Sequence, residues 1–289
     1  MELNAANTAV VYDSTADLPD GPAEHANWRM VPLSVHVGDR TFRDYVDLPA
    51  EEFYRLLAAT PATPTTSQPS PGAFGEVYGE LLERYDHVVS LHLSGELSGT
   101  VESARLGAAS YGERVTVVDT RAVAVLLGLT VIGVQRLLDD GTDVAGVERW
   151  LERFRRHAGV VFSVETLEYL RRGGRIGAAR ALVGGLLSVR PILAVEDGEV
   201  RPVRRVRGGR KALEALVEEL GARTPAGHGL RAIVAHAAAA DRAEELAAAI
   251  RAARPEVVLE PVTTIGAVVG AHAGPGTVGV AFAPDPLPD

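Results

Sequence analysis

Residues 88–100, VVSLHLSGELSGT, constrain the fold of this chain more than any other stretch. Val88, Val89 and Leu91 begin an apolar run suited to a buried strand. The run turns abruptly into Ser94, Gly95, Ser98, Gly99 and Thr100. VESARLGAA then reads as a helix, with Ser98 placed to cap its first free amides. In an open parallel sheet, a polar turn between strand and helix lies at the carboxyl edge of the strands, where ligands bind. The hydroxyls and N–H groups gathered there can cap the helix and do nothing more, or they can receive an anion.

Strands and helices alternate through the rest of the first half. TAVVY (8–12) reads as a strand running into DSTADLP, where Ser14 and Asp17 have the spacing of a capping box. Strand-then-aspartate is also the setting of phosphotransferase nucleophiles, but the second Asp expected two residues on is Thr15, so an aspartyl phosphate is not expected. MVPLSVHV (30–37) reads as one strand, and Pro49 opens a helix with Phe53, Leu56 and Leu57 on one face. Residues 60–74, TPATPTTSQPSPGAF, hold too many prolines for a helix interior or a central strand. They form either a rigid linker or a pre-organised loop offering Thr65, Thr66 and Ser67 to a ligand. Ser70 and Pro71 then start a helix. RVTVVDT (114–120) supplies a strand, residues 122–134 a buried helix, and Val144, Val147, Leu151 and Phe154 repeat at helical spacing. The alternation predicts a mostly parallel, doubly wound sheet.

Beyond Gly159 the pattern changes. VVFSV and LLSVRPILAV (186–195) read as strands, and EDGEV places an Asp-Gly turn that makes a hairpin with the next strand. Helices at RKALEALVEEL and from Asp241 alternate with strands RAIVAHA and VVLEPV. The expected organisation is an α/β domain over residues 1–158 and a mixed-sheet α/β domain over 159–289.

Composition closes off several classes. A net charge of −9 gives no support to nucleic-acid binding. The absence of cysteine excludes disulfides, thiolate metal sites and thiol catalysis. The eight histidines show no H-x₃-H pairing, so no metal is expected. MELNAANTAVVYD lacks the pattern of a signal peptide, and the most apolar run, 122–134, is too short to span a bilayer; a cytoplasmic protein without membrane insertion is expected. Gly274, Gly276 and Gly279 satisfy G-x-G-x-x-G, yet Pro275 sits inside and a strand follows, so the dinucleotide context fails. There is no G-x-S-x-G elbow. His272 stands among glycines and Pro275, which imply a tight loop with close backbone approach.

DSTADLP, TTSQPSP, LSGELSGT, TLEYLRRGGRIG, RPIL and AHAGPG, in this order and spacing, resemble the DegV family of fatty-acid-binding proteins over residues 8–282. The resemblance implies two α/β domains with one acyl chain buried between them, no cofactor and no catalysis by the chain itself. It implies a carrier subunit of a bacterial fatty-acid kinase, which holds a long-chain fatty acid in a tunnel and presents its carboxylate to a separate ATP-using subunit. On this resemblance Thr66, Ser98 and His272 donate to the carboxylate, with Ser67, Ser94 and Gly99 as second contacts. Arg175 and Arg207, with Arg204 as the alternative to Arg207, engage the kinase or the acyl phosphate. Val101 stands where Tyr commonly follows LSGT, and Thr120 where Ser commonly follows VVD. Two other classes stay open: an acyl hydrolase using Ser98 with His272, and a small-anion binding module without lipid.

Overall fold

The computed structural model describes residues 2–19, 25–60, 63–182, 189–224 and 229–288. The first half runs β1 (Thr8–Asp13), β2 (Trp28–Val31), β3 (Ser34–Val37), β4 (Arg40–Arg43), α1 (Ala50–Ala59), β5 (Thr65–Ser67), α2 (Pro71–Leu82), β6 (His87–His92), α3 (Thr100–Ala108), β7 (Val115–Asp119), α4 (Val125–Asp140) and α5 (Val144–His157). Strands β2, β1, β6 and β7 lie side by side in that order, all parallel. Successive side chains of β1 go to opposite faces. Ala9 and Val11 join Phe74 and Tyr78 of α2 and Ala104 of α3, while Val10 and Tyr12 join Leu127, Val131 and Leu138 of α4. Helices thus cover both faces, as a doubly wound sheet requires.

Three local expectations change. Residues 30–37 are not one strand: Pro32 has no N–H to continue the ladder, so the chain leaves the parallel sheet after Val31. β3 pairs antiparallel with β4 and β5 in a separate sheet of order β4-β3-β5. The proline-rich segment enters that sheet at its edge, the one place in a sheet that tolerates neighbouring prolines; its residues 61 and 62 lie outside the described ones. The Ser14/Asp17 capping box does not form. A single 3-10 turn, Ser14–Ala16, is capped by Asp13, and Asp17 adopts left-handed backbone (φ 45°) that turns its carboxylate elsewhere. At α2 the reading holds, with Ser70 Oγ accepting the N–H of Ala73 at 3.2 Å and Pro71 in the first turn.

The second half runs β8 (Gly159–Ser163), α6 (Glu168–Arg172), β9 (Val189–Glu196), β10 (Glu199–Arg207), α7 (Gly209–Arg223), β11 (Leu230–His236), α8 (Ala240–Ala253), β12 (Val257–Leu259), β13 (Thr263–Thr264), α9 (Ala267–Ala273) and β14 (Val278–Pro284). Its sheet has the order β10-β9-β8-β14-β11-β12, with β13 also beside β11. β12 and β13 are parallel to β11 and the other pairings are antiparallel, so the sheet is mixed. Of the strand expected over 186–195, residues 186–188 lie outside the described ones and the rest is β9. Asp197 and Gly198, both at positive φ, make the tight turn between β9 and β10. The junction at 158/159 falls between α5 and β8. The largest buried cluster crosses it, joining Val125 and Leu127 to Val160, Ile233 and Ala281.

Candidate functional site

A cavity with about 910 Å³ of empty space, part of it open to solvent, lies where the two halves meet. Leu33, Leu93 and Val123 line it from one side, and Val160, Phe162 and Val268 from the other. Six polar side chains interrupt this apolar lining: Thr15, Thr66, Ser98, Arg175, His272 and Thr277. Two of these spend their hydroxyl protons internally, Thr15 on Asp13 Oδ1 at 2.6 Å and Thr277 on the Gly274 carbonyl at 2.8 Å. The other four, Thr66, Ser98, Arg175 and His272, are among the nine residues named from the family resemblance.

Thr66 is the middle residue of β5 and pairs with Val35. Strand alternation sends Thr66 inward and Ser67 outward, where the Ser67 hydroxyl lies 3.0 Å from His36 Nε2 on an exposed face. Thr66 Oγ1 sits 2.8 Å from His272 Nε2. His272 lies not in the expected loop but in the last turn of α9, and the glycine turn begins after it, at Gly274 in positive φ (79°). Its Nδ1 is buried without a hydrogen-bond partner. A Cβ at Gly173 would collide with that nitrogen, so glycine is required there. Burial, and after it the charge of Arg175, push the imidazole pKa down to about 4, so the ring is neutral at physiological pH and keeps one N–H and one lone pair.

Ser98 Oγ lies 2.9 Å from Thr100 Oγ1 and accepts the Thr100 N–H at 3.3 Å. The helix cap expected of Ser98 reduces to that one bond, because the N-cap residue of α3 is Gly99. Gly99 is exposed and lies against the Gln68 amide, which a Cβ would overlap. Ser94 is buried and shapes the turn: its Oγ accepts the Glu96 N–H at 3.2 Å, and its carbonyl takes the N–H groups of Leu97 and Ser98. Neither Ser67, Ser94 nor Gly99 lines the cavity. Arg175 crosses from the second half to the first, donating from Nε to the Leu97 carbonyl at 2.9 Å and from Nη1 to that of Gly173 at 2.7 Å. Arg204 lies along α7, bonded to Glu218 (2.6 Å) and to the Ala215 carbonyl, and lines no part of the cavity. Arg207 ends β10, exposed to solvent and also away from the cavity lining.

Sequence reasoning missed two polar networks behind this site. Asp13 Oδ2 accepts the Leu93 N–H at 2.9 Å and lies 3.1 Å from His92 Nδ1; His92 Nε2 meets Ser90 Oγ at 2.7 Å, and Ser90 meets Tyr78 Oη at 2.8 Å. All four residues are fully buried, and they lock the carboxyl ends of β1 and β6 at the cavity rim. A histidine interrupting the apolar run VVSLHL was the available signal. The second network joins Asp17, Asp44 and Tyr45 to the start of α9, with Tyr45 Oη donating to Asp17 Oδ1 at 2.7 Å. Among the described residues no group of acidic or histidine side chains is arranged to hold a metal, and no helix is long and apolar enough to cross a membrane. The whole arrangement can hold an acid among hydroxyls and an imidazole while its hydrocarbon fills the apolar remainder.

Comparison with known proteins agrees with this fold. A family model described as "Uncharacterised protein, DegV family" matches residues 7–285. A DegV domain-containing protein of Deinococcus radiodurans is 45% identical over 96% of this chain and 98% of its own length. A protein named fatty acid-binding protein, from Thermotoga maritima, is 36% identical over 93% of this chain and 95% of its own. The solved structure of a DegV family protein from Thermus thermophilus, described by its fatty-acid binding, superposes with a TM-score of 0.92 at 40% identity, covering 96% of this chain and 99% of the other. The chain belongs to the DegV family.

Proposed function

We propose that this chain binds one long-chain fatty acid in the cavity between its two α/β domains, with the carboxylate held by Thr66, Ser98 and His272. One observation carries the reading: an apolar cavity in which the Thr66–His272 pair, Ser98 and Arg175 are the groups with polar atoms left to offer. A carboxylate can be buried only where donors converge on it, and each methylene taken from water contributes about 0.8 kcal/mol. Relatives described as fatty-acid-binding support the same ligand class.

The bound acid is then presented to a separate ATP-using kinase subunit. Arg175 beside the head group is suited to a developing acyl phosphate, and exposed Arg207 to docking. Catalysis by the chain alone is not favoured, since Ser98 and His272 are each bonded to a different hydroxyl, Thr100 and Thr66, and not to each other. A small-anion module has no use for so much apolar lining. The test is competition: a free long-chain acid displaces a fluorescent acyl probe, and its methyl ester does so at least about tenfold less well, having lost the charge-assisted hydrogen bonds. Equal displacement by acid and ester would refute the head-group assignment.

A further inference from the structure

His272 is carried by a helix that cannot hold its own place. α9 has seven residues, and so short a helix is unstable in water unless something grips its ends. Its last turn meets Thr66. Its first turn has no cap of its own, because the N-cap residue is Gly266. The cap comes instead from the other half of the chain. Asp17 Oδ1 takes the Gly266 N–H at 2.8 Å, and Asp44 Oδ1 takes the Ala267 N–H at 3.0 Å. Nearby, Tyr54 Oη donates to the Ile265 carbonyl at 2.9 Å, and a Cβ at Gly266 would overlap the Tyr45 ring. Inside the helix, Gly270 bonds back to Gly266 and Gly274 to Gly270, both at 2.8 Å, so a shift at one end is a shift at the other.

Both aspartates are only 1% exposed, and each keeps its second oxygen, Oδ2, buried without a partner. An ordinary helix cap needs one Ser, Thr, Asn or Asp at the surface. Two buried and half-satisfied acids are a costly substitute, and the cost falls on the one helix that carries the binding histidine. Resting on the fatty-acid reading above, we propose that Asp17 and Asp44 are positioning residues of the head-group site: they clamp the start of α9 to the first half of the chain and so set His272 on Thr66. The titratable groups facing the pair are Asp13, Tyr45 and Tyr54. Burial pushes both carboxyls up, Asp44 to about 7, so the clamp changes charge near neutrality while His272 stays uncharged.

The test follows the full chain, first without ligand and then with oleate. Asp44→Ala should accelerate amide exchange over residues 266–273 and move the His272 ring resonances, while exchange in β1 and β6 stays as in the parent. It should also weaken oleate binding by about tenfold, the effect of a displaced hydrogen-bonding partner. Asp44→Asn, whose Oδ1 still accepts the Ala267 N–H, should restore all three. In a His272→Ala background, Asp44→Ala should cost no further affinity, because the clamp acts through that ring. The parent's His272 resonances should drift between pH 6 and 8, and Asp44→Asn should abolish the drift; this arm decides the matter if the alanine variant does not fold. Unchanged α9 exchange and ring resonances in both Asp44→Ala and Asp17→Ala would overturn the proposal. So would an equal affinity loss with and without His272. A parent chain that ignores oleate defeats the fatty-acid reading alone, since the exchange and resonance measurements need no ligand.

Discussion

Thr66 Oγ1 and His272 Nε2 lie 2.8 Å apart although 206 positions separate them in sequence. The pair joins an edge strand of the first half to the last turn of a helix of the second, across the lining of an apolar cavity. Truncating either side leaves the other half-buried and under-bonded. Thr66→Val and His272→Ala should each weaken fatty-acid binding by about 1.5–3 kcal/mol, the range for a hydrogen bond to a charged group. Titration calorimetry with a long-chain acid measures this, and wild-type affinity in both variants would remove the pair from the site.

The second prediction concerns pH. Asp44 is raised to about 7 by burial, so the folded chain holds a proton that the unfolded chain releases near pH 4. Between these values the native state binds more protons, and stability falls as pH rises, levelling off above about 7. The slope for this one group amounts to about 4 kcal/mol at most, at about 1.4 kcal/mol per pKa unit over roughly three units. Asp44→Asn should flatten that part of the profile and melt higher than the parent at pH 8. Urea denaturation at several pH values decides it, and an unchanged slope would show that Asp44 does not titrate there.

A third prediction comes from the backbone at the cavity wall. Ala124, the N-cap of α4, has φ 56° and ψ −146°, a region essentially reserved for glycine. Ala124→Gly should therefore stabilise the chain by about 1 kcal/mol net, since relief of about 1–3 kcal/mol of strain exceeds the added entropy of glycine in the unfolded state. A lower denaturation midpoint in the variant would mean that this conformation carries no strain.

The architecture was legible because both periodicities were strong. Apolar runs at β1, β6 and β7 alternate with amphipathic helices, and the Asp197-Gly198 dipeptide marks its hairpin. Thr66 and His272 carried little local signal, and their pairing came from family resemblance rather than spacing. Asp17 was misread for a physical reason. An acid three residues after a serine looks the same whether it caps its own helix or, as here, takes an N–H from 249 positions away. Pro32 could have been read as a break in the strand, but the apolar residues on either side of it hid the change of sheet.

The partner reading yields a fourth prediction. Arg207 is exposed and lines no part of the cavity, whereas Arg175 lies beside His272. Arg207→Ala should keep fatty-acid affinity and lose ATP-dependent phosphorylation of the bound acid by a cognate kinase subunit. Arg175→Ala should lose phosphorylation even where the complex still forms. Gel filtration of the mixed subunits separates docking from chemistry, and full activity of Arg207→Ala would remove this residue from the docking surface.

Native mass spectrometry of the purified chain reads out whether the cavity holds one long-chain acid by its carboxylate. The expected result is a single adduct with the mass of a long-chain fatty acid, lost on denaturation and much reduced in a folded chain carrying both Ser98→Ala and His272→Ala. A parent chain that carries no such adduct even after incubation with oleate would rule out fatty-acid binding, and a double variant that retains it in full would rule out this head-group site.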